Sequence, residues 1–590
     1  MSRQFRHAFP FGAAVRPDGK TQFRFWAPAQ ETVSVAFEAG PLVAMQRSSD
    51  GWFEALVDAG VGTRYRYRLS DGTLVPDPAS RAQADDVHGP SVVVDPAGYA
   101  WRHRDWQGRP WREAILYEVH VGLLGGFRGV EKELGRLADL GITAVELMPI
   151  NDFPGRRNWG YDGVLPYAPD AAYGSPEELK ALIDAAHDHG LMIFLDVVYN
   201  HFGPDGNYLH LYAPQFFRAD HQTPWGPAID FRQPAVRSFF TENVLYWLME
   251  YRFDGLRFDA VHAIEEQDWV DEMAATVRAK IEPGRQVHLV LEHHNDASHL
   301  EKDVDAQWND DGHNVLHVLL TGEDGGYYAD YTDGPADKLA RCLREGFIYQ
   351  GEYSEYLAAA RGMASAHLPP TAFVLFLQNH DQIGNRAFGE RLTTLADPAA
   401  LEAAIALLML CPQIPLLFMG EEVASRTPFL FFTDHHAGLA DAVRDGRRAE
   451  FARFAAFADP EKRDRIPDPN DPRTFQASVP HPDTVAGRSR EALYRRLIDL
   501  RRDKIVPRLD ATTSLEADAI GEKAVLARWR LGDGAVLTIA SNLGAQSVAL
   551  GGVSGDLLYA ASAEAEAQLR SGSLPGYSTC ALLDRGSPGT

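Results

Sequence analysis

In Gly255-Leu-Arg-Phe-Asp-Ala-Val-His262, Arg257 and Asp259 stand two apart. On a strand both side chains then leave the same face, which sets the guanidinium beside the carboxylate. A fixed cation keeps an aspartate ionised, as a nucleophile requires, although taken alone the pair reads first as a structural ion pair. Two further acids shift that balance. Glu292 ends the apolar run His288-Leu-Val-Leu-Glu292, and Asp381 ends Gln378-Asn-His-Asp381. An acid after a buried run must find partners or stay protonated, and a protonated carboxyl can donate to a leaving oxygen. Three acids at neighbouring strand ends repel one another and serve stability poorly, whereas an oxocarbenium-like transition state favours them. The residues therefore predict a glycosidase in which Asp259 is the candidate nucleophile and Glu292 the candidate general acid/base.

Asp196-Val-Val-Tyr-Asn-His201 adds a fourth polar cluster. Asp196 is placed to orient Arg257 and His201 to reach a sugar hydroxyl, with a satisfied polar layer below the site as the competing reading. Asn200 has an oxygen suited to calcium, but no dense set of acidic ligands accompanies it, so no metal is expected. The histidine pairs His293-His294 and His435-His436, and His187 with His189, lack the cysteine or carboxylate spacing of a zinc site. Tyr161, in Trp159-Gly-Tyr-Asp162, and Trp225, Trp308 and Tyr327 offer planes on which a glucose ring can stack, although aromatic residues more often pack a core. The glycines of Gly122-Leu-Leu-Gly-Gly126 lack the Lys-Ser/Thr of a phosphate loop, so no nucleotide cofactor is expected.

These residues need a scaffold that gathers distant strand ends. Short β-rich apolar runs at 114–122, 144–150, 192–198, 255–261, 288–294, 306–310, 372–381 and 414–422 alternate with helical stretches, a pattern of parallel βα units. Eight such strands predict a closed (β/α)8 barrel, an α/β fold whose C-terminal rim carries the active site. A run at 346–350 competes for the sixth position. Period-two segments such as Thr21-Gln-Phe-Arg-Phe-Trp26 and Thr63-Arg-Tyr-Arg-Tyr-Arg68, with turns at Asp50-Gly51 and Asp71-Gly72, predict an N-terminal β-sandwich. Runs at 525–529, 535–540 and 547–551 predict a C-terminal β-domain. The expected domains are 1–105, 106–485 and 486–590.

At 590 residues the chain is too long for one core. Its net charge of −25 repels phosphate backbones and anionic lipid, so neither nucleic acid nor a membrane surface is an expected partner. Three scattered cysteines, no apolar leader and a longest apolar stretch interrupted by Pro412 and Pro415 predict a cytoplasmic protein without a membrane span.

The segments 196–201, 255–262, 291–294 and 378–381 resemble, in order and in strand position, the four motif regions of the α-amylase superfamily, and with Trp159-Gly-Tyr161 the likeness covers most of 110–425. That resemblance implies the roles above for Asp259 and Glu292, the retaining type with the two carboxyl groups roughly 5–5.5 Å apart, and stabilisation of a distorted sugar by Asp381. Arg257, His201 and His380 would line the subsite of the attacked sugar. Phe23-Arg-Phe-Trp-Ala-Pro28 looks like the opening of the β-domain that precedes branching and debranching members. Ala306-Gln-Trp-Asn-Asp-Asp-Gly-His313, the stretch from Val315 to Tyr331, and Phe347-Ile-Tyr-Gln-Gly-Glu-Tyr-Ser354 are similar to the maltooligosyltrehalose trehalohydrolase family. Its members hydrolyse the α-1,4 bond next to a terminal trehalose unit, so a maltooligosaccharide-type substrate is implied. The substrate-contacting set then comprises Arg257, His262, His201, Tyr161, Asn309, Asp310, Asp311, His313, Asn379, His380 and Gln382. A glucan branching enzyme would use the same acids with a sugar hydroxyl as acceptor; a non-catalytic carbohydrate-binding scaffold would be expected to lack one of them.

Overall fold

The computed structural model describes residues 5–452, 459–481 and 485–585. Eight parallel strands close into a barrel: Leu116–Val119 (β1), Ala144–Leu147 (β2), Met192–Val197 (β3), Gly255–Phe258 (β4), His288–Leu291 (β5), Ala306–Trp308 (β6), Phe373–Phe376 (β7) and Ile414–Phe418 (β8). Every residue in them is buried, which explains why they read as continuous apolar runs. Each expected strand exists and each ends sooner than expected, because the polar residues that follow turn out of the ladder. The run at 346–350 is not a strand.

Alternation along the strands builds the site. Leu116, Ala144, Phe194, Val290, Trp308 and Phe376 meet in an apolar cluster within the barrel. Two residues further on, the same faces present Glu118, Glu146, Asp196, Glu292 and Asp310. Gly255 is where β4 has no side chain in that lower layer: a Cβ there would lie 2.1 Å from the Phe194 ring.

Around the strands stand helices Phe127–Leu140 (α1), Pro176–Asp188 (α2), Pro234–Leu245 (α3), Asp268–Lys280 (α4), Asp310–Thr321 (α5), Pro335–Glu345 (α6), Pro398–Leu410 (α7) and Val485–Leu500 (α8). The last packs on α1 and α7, so it completes the barrel wall from a place that the expected boundary at 485/486 gave to the terminal domain. The β5–β6 connection, 292–305, contains neither helix nor strand.

Before the barrel, two antiparallel sheets face each other, one built on Thr21–Trp26 and Trp52–Val57, the other on Ser34–Phe37 and Arg64–Arg68. Their alternating aromatics interlock: Phe25 stacks on Tyr67 at 4.1 Å and Phe23 meets Tyr65 edge-on at 4.9 Å. Buried Arg81 ties this sandwich to the barrel, donating to Glu250 at 3.3 Å and to the carbonyls of Ala13 and His7. The C-terminal sheet is five-stranded and antiparallel. It includes Ala524–Arg530 and Val536–Asn542, near two expected runs, and Thr513–Gly521, Asp556–Ala560 and Ser578–Asp584, which were not anticipated. No helix among the described residues is long and apolar enough to cross a membrane.

Candidate active site

Arg257 is the hub. Fully buried on β4, it donates through Nη1 to Asp196 Oδ2 at 2.6 Å and Asp259 Oδ1 at 2.9 Å, and through Nη2 to Glu292 Oε2 at 2.5 Å. Its guanidinium carbon lies 4.1 Å from the Trp308 ring centroid, so a cation–π contact closes its underside. One cation thus serves three carboxylates from adjacent strands, and its planar fork is what permits this. The remaining partners fix each acid separately. Asn200 Nδ2 donates to Asp259 Oδ2 at 2.8 Å, the Ala260 amide to Glu292 Oε2 at 2.9 Å, and Tyr161 Oη to Asp196 Oδ2 at 2.6 Å. The Ala260 amide reaches Glu292 from a left-handed residue, φ 41°, that ends the β4 run.

Asp259 and Glu292 are 12% and 17% exposed, while Asp381 is 41% exposed, so the third acid stands furthest into the cleft. Asp381 lies in the first turn of the short helix His380–Gly384 rather than on β7, with its amide held by Asn379 Oδ1 at 2.9 Å. Behind it, His380 Nδ1 donates to Glu118 Oε1 at 2.5 Å and Nε2 lies 3.5 Å from Asp381. Burial alone would hold this imidazole neutral, but the charges of Glu118 and then Asp381 outweigh it and carry its pKa up to about 9. A positive imidazole therefore faces the cleft beside Asp381 at neutral pH.

The site is overloaded with carboxyl groups, and burial decides which of them keep protons. Asp196 is pushed up to about 7 by burial and, after the opposing pull of Arg257, by the charge of Asp259. Asp310 is also raised to about 7, by burial and then by Glu292. Glu146, whose two oxygens are buried without hydrogen-bond partners, is raised well above the ordinary range by burial, Glu118 and Asp196. The chemistry available is proton donation by one carboxyl and nucleophilic attack by another, among acids that suit a reacting centre that becomes positive.

The expected substrate-contacting residues divide. Tyr161, His262 and Asp310 are partly exposed, while His201 and His380 are buried, 7% and 1% exposed. His262 stacks on the exposed His294 at 3.6 Å. Asn309, Asp311 and His313 do not reach the cleft: each is 0% exposed. Asn309 caps α5 and donates to Gly346 O at 2.9 Å. Asp311 accepts from Tyr331 Oη and from the amides of Ile348 and Tyr349. His313 Nδ1 pairs with Leu377 O at 2.7 Å. These three position the wall, and so do Asn379 and Gln382, which form a capping box on the helix carrying Asp381. Trp308 and Trp159 are buried too, leaving Trp225, 47% exposed and stacked on His201 at 5.0 Å, and the half-buried Tyr327 as accessible planes. Asn200 turns its amide nitrogen to Asp259 and its oxygen to His201, so that oxygen is not presented as a metal ligand.

Glu118 was missed although its signal was present, two residues after Leu116 on an apolar strand. In Glu118→Gln, Asp381 alone opposes burial, so the His380 pKa falls and its charge is lost at lower pH. The sign follows from the raised pKa: the native state gains stability below 6.5 and loses it as pH climbs through about 9. Urea unfolding midpoints should fall over that window in the parent and lose that component in Glu118→Gln, with an alkaline limb of kcat/KM moved to lower pH. An unchanged profile in both measurements would refute the pairing.

Three family matches lie along the chain: carbohydrate-binding module 48 (isoamylase N-terminal domain) over 10–96, alpha amylase, catalytic domain, over 98–213, and a domain of unknown function over 512–580. Malto-oligosyltrehalose trehalohydrolase of Deinococcus radiodurans is 39% identical, covering 88% of this chain and 89% of its own. That of Saccharolobus solfataricus is 40% identical over 75% and 80%. A solved Salmonella typhimurium structure provisionally described as an alpha amylase superimposes with a TM-score of 0.92 at 44% identity, over 98% of this chain and all of its own. Apo pullulanase from Paenibacillus barengoltzii shares the fold, with a TM-score of 0.71 at 20% identity over 97% and 94% of the two chains.

Proposed function

The chain belongs to the malto-oligosyltrehalose trehalohydrolase family of α-amylase-fold glycoside hydrolases, and from that premise we propose that Asp259, Glu292 and Asp381 hydrolyse the α-1,4 bond next to the terminal trehalose unit of a maltooligosyltrehalose. The observation that carries this reading is the sharing of Arg257 by Asp259 and Glu292, which sets two differently held carboxyls around one space.

In the first step Asp259 Oδ attacks the anomeric carbon as the bond to the bridging oxygen breaks, and that oxygen takes the proton of Glu292 as trehalose leaves. Glu292, now ionised, removes a proton from water, whose oxygen displaces Asp259 and releases the maltooligosaccharide with its anomeric configuration retained. Arg257 orients Asp259 through its 2.9 Å hydrogen bond. In this reading Asp381 and the positive His380 bind sugar hydroxyls and favour a flattened ring. Trp225 and Tyr327 offer stacking planes at the cleft. The domain division at 105 stands as a proposal beside these roles, and the second division is proposed after α8, which ends at Leu500, because that helix packs on α1 and α7.

The deciding experiment compares products from maltooligosyltrehalose and from a plain maltooligosaccharide of equal length. Trehalose released from the first, with the second cleaved at least ~10-fold more slowly in kcat/KM, is expected if the site discriminates by about 1.4 kcal/mol or more. Equal cleavage of both would make the enzyme a general glucan hydrolase. New α-1,6 linkages in amylose would mean that a sugar hydroxyl outcompetes water, as in the 1,4-alpha-glucan branching enzyme of Jannaschia sp., which matches 44% of this chain.

A further inference from the structure

Directly after Glu292, in the β5–β6 connection that holds no helix, His293, Asp296 and His299 recur every third residue. Their ligand atoms all lie within 4.8 Å of one another. Both imidazoles aim Nε2 at one atom, Gln267 Oε1, from 3.3 Å for His293 and 2.9 Å for His299. The amide group cannot turn a donor toward them, because Gln267 Nε2 is bonded to Val261 O at 2.9 Å and Ile264 O at 2.5 Å.

His299 is therefore enclosed by acceptors. Its Nδ1 lies 2.8 Å from Asp271 Oδ1, and Asp271 is itself held by Lys302 at 2.5 Å. With the proton on Nδ1 for Asp271, Nε2 presents a lone pair to an oxygen lone pair, a repulsive contact unless a second proton or a metal ion stands between them. A carboxylate on the far nitrogen is the arrangement that fixes a metal-binding histidine in its ligating tautomer. His293 lies nine-tenths buried with Nδ1 unpartnered, and Asp296 closes the third side, 4.0 Å from His293 Nε2.

We propose that His293, Asp296 and His299, with Gln267 Oε1 as a fourth donor, bind a borderline divalent cation of the zinc class. Two imidazoles with two oxygens suit Zn2+ or Co2+, whereas Ca2+ needs more oxygen ligands. A tetrahedral site with bonds near 2.0–2.1 Å places ligand atoms roughly 3.4 Å apart, so the loop closes slightly on binding. The ion would clip the helix-free connection to Gln267 at the N-cap of α4 and hold the backbone that carries Glu292, making it a positioning device rather than a participant in bond cleavage.

The test uses the full chain, freed of metal with a chelator and titrated with Co2+ alone and then Zn2+ alone. The expected result is one equivalent giving the visible d–d bands of four-coordinate Co2+, displaced by Zn2+, with the thermal midpoint raised by either ion. His299→Gln should lose that equivalent and the thermal shift. Asp296→Asn, a milder change at a partly exposed position, should weaken Co2+ binding at least ~10-fold while giving the parent's circular dichroism without metal. Absence of the bands in the parent, or equal binding by parent and either folded variant, overturns the assignment.

Discussion

Asp259→Asn and Glu292→Gln are each expected to lower kcat by at least ~10^4-fold, about 5.5 kcal/mol of transition-state stabilisation, with unfolding midpoints close to the parent's. Stability should hold because neither change adds charge to a cluster in which Asp196, Asp259 and Glu292 already compete for Arg257. The amides are isosteric, and the Asn200 and Ala260 donors are not displaced by bulk. The two variants should then differ in how they fail. A substrate with a good leaving group needs no proton, so it should restore the first step in Glu292→Gln but not in Asp259→Asn. Azide supplied to Glu292→Gln should capture the glycosyl-enzyme as the product of retained configuration, while azide supplied to a truncated Asp259→Gly should attack directly and give the inverted one. Identical rescue of both, full activity in either, or an inverted first product from the parent by NMR would each defeat the two-carboxylate assignment.

The fold was more legible in the sequence than the contacts of the site. The barrel strands are buried on both faces, so β8, Ile414–Phe418, announces itself as unbroken hydrophobicity. Strand ends were overrun because Asp310 and Asp381 look like terminal strand residues when each opens a helix. For Asp310 the clue was present. Asn309 followed by two acids is an N-cap with a favourable first turn, and reading it so would have placed Asp311 and His313 on a buried helix instead of at the substrate. Glu118 was recoverable by counting from Leu116. Arg361, which contacts Asp311 and Tyr331 behind the wall, lies on an irregular segment and had no local signal. Pairing His293 with His294 passed over the regular spacing of His293, Asp296 and His299, and the partners that make it suggestive, Asp271 in α4 and Gln267 at its N-cap, are distant in sequence.

Arg257→Lys is expected to be far from conservative, with kcat down ~10^2 to 10^3-fold and stability lower by about 3–5 kcal/mol. Arg257 reaches Asp196 and Asp259 with one nitrogen and Glu292 with the other. An ammonium is a single point and cannot span them, so at least one buried carboxylate loses its counter-charge. Two costs are separable. Asp196 is fully enclosed and already raised to about 7, so without the guanidinium it must take up a proton and give up its 2.6 Å partner, which weakens the fold, whereas Asp259 and Glu292 at the cleft lose the geometry that aims them. Adding Asp196→Asn to Arg257→Met removes the stranded carboxyl and should recover most of the lost unfolding free energy, yet leave kcat as low as in Arg257→Met. Denaturant unfolding and initial rates on the four members of that cycle measure both quantities. Recovery of activity along with stability would mean that Arg257 serves the fold alone, and a fully active Arg257→Lys would remove the hub from the mechanism.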